Sequence, residues 1–148
     1  MRAPAAVRFA NTITIDREPA IVFTYLADLE NLPRWNYAIQ ETRKITSGPV
    51  SAGSRYRQIR TVPVRSEETL VVTELDPDRR LTIAGTLGAS PTRITYVLEP
   101  AGNATTLTNI VELTPPRALR LLAPLATRRV SAAVASNLKA LKKLLERE

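Results

Sequence analysis

The sequence predicts an α+β fold: a curved seven-stranded antiparallel sheet wrapped around one long C-terminal helix, with two short helices between strands one and two. Three observations predict it. From Ala38 to Leu113 apolar and polar side chains alternate with period two, interrupted only by turn signals, which is the pattern of half-buried strands. From Pro116 to Glu148 the pattern changes to a helical one. Val130, Val134, Leu138, Leu141 and Leu145 then fall in one narrow stripe at about 100° per residue, with Arg128, Arg129, Lys139, Lys143 and Glu146 on the other side. Finally, this helix is the one long element available to cover the apolar face of the sheet, so the sheet must curl around it.

The elements follow in order. Arg8 to Ile15 alternates, with Phe9, Asn11, Ile13 and Ile15 on one side, and reads as a strand. Asp16-Arg17-Glu18 breaks it, and Pro19 suits the first position of a short helix, Pro19 to Ala27, whose apolar face is Val22, Phe23 and Leu26. Asp28 is placed to cap a second helical piece, Leu29 to Leu32, ended by Pro33 before Trp35. Six strands are expected next: Ile39 to Thr46, Ser54 to Val62, Val64 to Leu75, Leu81 to Leu87, Thr92 to Glu99, and Thr105 to Leu113. The turns between them are marked by Ser47-Gly48-Pro49, Ala52-Gly53, Pro63, Asp76-Pro77-Asp78, Gly88 to Pro91, and Ala101-Gly102-Asn103. Short connections make an antiparallel meander the simplest arrangement. With 148 residues and no linker or repeat, the chain is expected to form one domain over residues 1–148, residues 1–6 being flexible.

Composition excludes several kinds of chemistry. The chain has neither cysteine nor histidine, which removes disulfides, thiolate and imidazole metal ligands, thiol nucleophiles and histidine-based triads. Asp76 and Asp78 flank a turn proline and lack the further oxygen ligands a hard cation needs, so no metal is expected. The glycines form neither a dinucleotide fingerprint nor a phosphate loop, and no cofactor is expected. The formal charge of +7 comes from 21 basic and 14 acidic residues spread through strands, turns and the last helix. Only Arg55, Arg57 and Arg65 form an outward cluster in the strands, without stacking aromatics, so nucleic acid is not an expected partner. No signal-peptide pattern or run of about 18 apolar residues occurs, and the cytoplasm is the expected compartment.

A sheet curled around a helix leaves a volume that side chains need not fill. Its wall is read from the inward phase of each strand. If Tyr56 faces inward, so do Gln58 and Arg60; Asn109 goes with Leu107 and Val111, and Asn11 with Phe9 and Ile13. An unpaired polar group in a dry core costs about 1–3 kcal/mol, so this inward polar set implies partners, water or ligand inside, or wet strand ends at a mouth. The candidate ligand-binding residues are Phe9, Asn11, Trp35, Tyr56, Gln58, Arg60, Tyr96, Asn109, Val134, Leu138 and Leu141. Trp35 and Tyr37 lie where the short helices meet the sheet, and the single tryptophan is expected to pack in the core. Arg60, Tyr56 and Glu68 are the candidate catalytic groups, with Glu74 joining them if Leu70 and Val72 point inside. The favoured reading of Arg60 and Glu68 is nevertheless structural, as an ion pair on neighbouring strands or a place at the rim.

The order of these elements, with several local strings, resembles the START-like, helix-grip proteins of the SRPBCC superfamily, and within them the polyketide cyclase/dehydrase-like group. The strings are Ile15 to Asp28 (IDREPAIVFTYLAD), Leu32-Pro33-Arg34-Trp35, Gly48-Pro49-Val50 with Gly53, and Glu74 to Leu81 (ELDPDRRL). Tyr96 to Pro100 (YVLEP), Thr105 to Thr108 (TTLT) and Asn137 to Lys142 (NLKALK) complete them. The resemblance spans nearly the whole chain and is specific for a fold rather than for one activity. It implies binding of a small hydrophobic or amphipathic molecule, such as a polyketide, isoprenoid or lipid-like compound. A metal-independent cyclase, aromatase or dehydratase is the alternative, and a partner- or membrane-binding module without a ligand is a third.

Proline inside a helix removes a backbone hydrogen bond and clashes with the preceding turn, so the last helix is expected to break near Pro124. Two outcomes are open for the segment before it. Leu119, Leu122 and Leu125 fold over the cavity mouth as a mobile flap, or they stay exposed beside Arg117, Arg120, Arg128 and Arg129. In the second case residues 117–129 suit a homodimer contact or an anionic membrane contact.

Overall fold

The structure is a computed structural model that describes residues 7–87 and 90–147. The expected flexible lead at residues 1–6 and part of the expected turn at Gly88 to Pro91 lie outside the described residues. The strands are β1 (Val7–Ile15), β2 (Ile39–Lys44), β3 (Arg55–Arg60), β4 (Ser66–Asp76), β5 (Arg80–Leu87), β6 (Ser90–Ala101) and β7 (Ala104–Leu113). They form one antiparallel seven-stranded sheet in the order β1-β7-β6-β5-β4-β3-β2. Strands β2 to β7 run as the expected meander, and β1 closes on β7, with Phe9 opposite Val111 and Asn11 opposite Asn109.

Between β1 and β2 lie α1 (Pro19–Ala27), a 3-10 turn (Leu29–Asn31) and α2 (Leu32–Trp35). Pro19 starts α1 without losing a bond, since the first N–H groups of a helix have no partner inside it. Asp28 caps the 3-10 turn, its carboxylate accepting from the Glu30 N–H at 3.3 Å. One expectation is corrected here. Pro33 does not end the second helical piece; it occupies the first turn of α2, where its missing N–H is harmless, and the helix runs on through Trp35.

A 3-10 segment, Arg117–Leu122, leads into α3 (Ala123–Glu146), which lies across the concave face of the sheet. Pro124 sits in the first turn of α3, so the break falls immediately before it, for the same reason as at Pro33. Leu138, Leu141 and Leu145 of α3 pack with Ile15, Val22, Phe23 and Leu26 and with Leu81, Leu98 and Leu107 of the sheet. Leu141 is fully buried; deleting such a side chain costs about 2–5 kcal/mol. The C-terminal end of α3 is tied down by polar contacts as well. The Glu146 carboxylate accepts from the Asp16 N–H at 2.7 Å, and Lys142 Nζ donates to the Thr14 carbonyl at 2.7 Å.

Candidate functional site

The C-terminal turns of α3 close the core, whereas its middle turns, over residues 130–137, border a cavity of about 120 Å³. Val130, Ala133, Val134 and Asn137 form the helix wall of that cavity, and Leu32, Asn36 and Tyr37 of α2 and the residues after it form one end. The sheet wall comes from the inner faces of β2 to β7, including Ile39, Gln58, Arg60, Leu70, Ile83, Ile94, Tyr96 and Val111. Part of the space exists because Gly85, the inward position two residues after Ile83 on β5, has no side chain. A Cβ there would come within 2.7 Å of Leu70 Cδ2 and 3.2 Å of the Thr69 carbonyl oxygen. A cavity of about 150 Å³ takes a benzene, so the room here is about one ring in size.

One polar network lies against this wall. Registration of β3 on β4 puts Gln58 opposite Glu68 and Arg60 opposite Ser66. Arg60 Nε donates to both Glu68 oxygens, at 3.0 and 3.2 Å, Gln58 Nε2 donates to Glu68 Oε1 at 2.9 Å, and Ser66 Oγ reaches Oε2 at 3.4 Å. Thr42 Oγ1 in turn donates to Gln58 Oε1 at 3.3 Å. The Glu68 side chain is 2% exposed and that of Arg60 15%, so this is a buried ion pair with its carboxylate lone pairs in use. The terminal nitrogens of Arg60 make no hydrogen bond to a described residue, and Arg60 borders the cavity. Glu74 departs from the inward set. A register shift between Val72 and Glu74 turns it to the outer face, where it is exposed and accepts from Arg80 Nε at 2.7 Å and Thr82 Oγ1 at 2.9 Å. These two donors hold its carboxyl below the usual carboxylate range.

The expected site residues divide into three groups. Gln58, Arg60, Tyr96 and Val134 border the cavity. Trp35 and Tyr56 stand behind it in the core, and Leu138 and Leu141 lie deeper in the same cluster. The Trp35 ring meets Tyr96 edge-on, centroids 6.4 Å apart, and so backs the wall rather than forming it. The Tyr56 hydroxyl has no hydrogen-bond partner among the described residues; burial, followed by the nearby Asp28 and Glu30 charges, pushes its pKa up to about 12. Such a phenol stays neutral at ordinary pH and cannot act as a base there. Phe9, Asn11 and Asn109 lie on the inner face at the β1–β7 side. Phe9 packs against Val7, Val111 and Leu113, and Asn11 Nδ2 donates to Ser131 Oγ at 3.3 Å, tying β1 to α3. Burial pushes the pKa of the Tyr96 phenol up, an effect that the nearby Asn109 amide only partly offsets, and Asn109 Oδ1 has no hydrogen-bond partner among the described residues.

Asn137 was missed by the reading of inward strand positions. It is 8% exposed, it borders the cavity, and its amide makes no hydrogen bond to a described residue. The signal was present in the stripe of α3: one residue before Leu138 and three after Val134, it lies on the edge of the buried face. Among the described residues no group of three or more carboxylates is close enough to hold a metal ion, and no described helix is long and apolar enough to cross a membrane. Asp76 and Asp78 form the expected turn, closed by the Arg79 N–H on the Asp76 carbonyl at 3.1 Å, with Asp78 at a φ of 66°.

Solved structures with this architecture include TTHA0849 from Thermus thermophilus, at 22% identity and a TM-score of 0.74 over 95% of this chain and 98% of that one. A START superfamily protein from Mycobacterium smegmatis aligns with a TM-score of 0.78 at 13% identity, over 95% of this chain and 97% of that one. The di-domain ARO/CYC protein StfQ of the steffimycin biosynthetic pathway aligns with a TM-score of 0.80 at 17% identity, and this chain, 95% covered, spans 51% of its length. At these identities the likeness is one of fold. No match was found among curated protein sequences. A family profile described as polyketide cyclase / dehydrase and lipid transport matches residues 6–146. With that match over almost its whole length, on a seven-stranded sheet gripping a C-terminal helix, the chain belongs to the polyketide cyclase/dehydrase and lipid transport family.

Proposed function

We propose that this protein binds a small amphipathic molecule in the cavity between β2–β7 and the middle turns of α3, and carries or sequesters it without transforming it. The observation that carries this reading is the pairing of an apolar wall with two unsatisfied polar groups at its surface. Ile83, Ile94, Val111 and Val134 supply the apolar wall, Asn137 an amide that makes no hydrogen bond to a described residue, and Arg60 terminal guanidinium nitrogens that make none either. A ligand with a ring-sized apolar body and a carbonyl or carboxylate oxygen satisfies both; a purely apolar one leaves a buried amide unpaired, at about 1–3 kcal/mol. Carriage is favoured over cyclisation by the state of the candidate base. Glu68 spends its oxygens on Arg60, Gln58 and Ser66, and Tyr56 lies outside the cavity wall.

The test is mass spectrometry of small molecules released on denaturing the purified protein, followed by titration of the recovered compound into wild type and Asn137→Leu. The expected result is an oxygen-bearing apolar compound whose affinity drops about tenfold or more in the variant, consistent with one lost buried hydrogen bond. Release of an unchanged compound after prolonged incubation supports carriage. Conversion of it by the wild type, lost in a Glu68→Gln variant that circular dichroism shows to be folded and that still binds the compound, overturns carriage in favour of catalysis.

A further inference from the structure

The whole net charge of the chain sits in one stretch. Residues 113–145 hold seven of the 21 basic side chains and none of the 14 acidic ones, so the rest of the chain balances and all of the +7 lies here. Arg117, Arg120, Arg128 and Arg129 make no ion pair with a described residue. Among them stand large apolar side chains in water: Leu121 is 93% exposed, Leu122 59% and Leu125 55%. These leucines do not close over the cavity as a flap, although the side chain of Leu119 lies outside the described residues. The cause is helical phase. Leu125 lies sixteen residues before the buried Leu141, which at 100° per residue puts it roughly opposite the face that packs on the sheet.

We propose that this surface, the 3-10 segment Arg117–Leu122 with the exposed face of the first turns of α3, docks on an anionic lipid bilayer. Charge complementarity selects the partner. Four unpaired arginines and no carboxylate suit a surface of phosphate and carboxylate headgroups, and three leucines at the same place suit the acyl boundary just beneath it. Nucleic acid is the poorer fit, since residues 114–147 contain no aromatic side chain on which a base could stack. A second copy of the chain would set four arginines against their equivalents across a two-fold contact. Docking would also bring the cavity near the bilayer, because Val130, on its wall, directly follows Arg128 and Arg129. The docking itself does not depend on the cavity being occupied.

The test is co-sedimentation of the whole protein with vesicles of phosphatidylcholine, with and without phosphatidylserine, at low and high ionic strength. Binding is expected only with phosphatidylserine and is expected to fall as salt rises. Each arginine changed to glutamine should weaken it about fivefold, so Arg117→Gln, Arg120→Gln, Arg128→Gln and Arg129→Gln together lower it by a hundredfold or more, on the order expected for additive charges. Leu121→Ser with Leu125→Ser should weaken it at both salt concentrations. These side chains are exposed, so unchanged circular dichroism and melting establish that the variants are folded. Failure of the wild type to sediment with phosphatidylserine vesicles overturns the proposal. So does equal binding to phosphatidylcholine alone, a dimer in sedimentation velocity that the leucine variants dissolve, or retention on duplex DNA without retention on vesicles.

Discussion

The outer face of the sheet and the outer face of α3 both carry many charged side chains, and they handle them in opposite ways. On the sheet most charges meet opposites: Arg93 lies across from Glu112 and bonds it at 2.6 Å, Arg80 bonds Glu74, Arg57 bonds Glu67, and Arg43 bonds Glu41 two residues away on its own strand, while Arg8, Arg55 and Arg65 make no ion pair with a described residue. On α3, Arg128, Arg129 and Lys139 are exposed with no acid three or four residues away in either direction. Antiparallel pairing sets residues far apart in sequence side by side, so a sheet can place an acid beside every base. A helix face away from its neighbours has only its own positions three and four residues along to offer. Unpaired charge is therefore densest on residues 117–129, where four arginines stand with no acid among them.

The largest effect that tests this contrast lies inside the sheet. Arg60→Leu leaves Glu68 buried and uncompensated and should lower stability by about 3–5 kcal/mol in urea unfolding, whereas Arg60→Leu with Glu68→Leu should recover most of the loss. Equal losses in the single and double variants would mean that the pair is held by something other than mutual compensation. Next come two leucines of one helix. Leu141→Ala should cost about 2–5 kcal/mol and Leu125→Ala no more than about 0.5 kcal/mol, because only the first leaves a cavity. A large loss at Leu125 would mean that this face is covered in solution. Smaller still, Arg80→Gln should cost under about 1 kcal/mol, as is usual for half-exposed pairs, and Arg128→Gln should cost nothing or relieve repulsion.

The smallest effect is one of pH. The Lys142 ammonium and the Asp16 N–H hold the Glu146 carboxyl below its ordinary pKa, so its contribution is present above the unfolded value and is lost as pH falls through the lowered folded value. Melting of the wild type and Glu146→Gln should thus differ near neutrality and converge in acid. A gap that stays constant down to the lowest pH would show that the tie acts through geometry alone.

Much of this was legible in the chain. Alternation from Ala38 to Leu113 and the stripe Val134, Leu138, Leu141 and Leu145 set the elements, their inner faces and the family's architecture. Period-two phase also put Gln58 and Asn109 on the same inner face, where both are buried. It failed at Glu74, where a bulge flips the phase, because one extra residue in a strand leaves no mark on composition. It failed differently at Phe9, Leu138 and Leu141. An inward direction says that a side chain faces the helix, and only packing decides whether it meets core or cavity.

The sequence by itself determined what this protein lacks and where its charge lies: no imidazole or thiol chemistry, and seven basic residues with no acid among them in residues 113–145. Only the tertiary structure decided which charges are cancelled, that Asn137 and not Tyr56 borders the cavity, and that Leu121, Leu122 and Leu125 face water. The physical reason is range. Composition, periodicity and proline position act within a few residues along the chain. Strand register, the missing side chain at Gly85 and the angle at which α3 crosses the sheet depend on contacts between residues as much as 130 positions apart, as at Asp16 and Glu146.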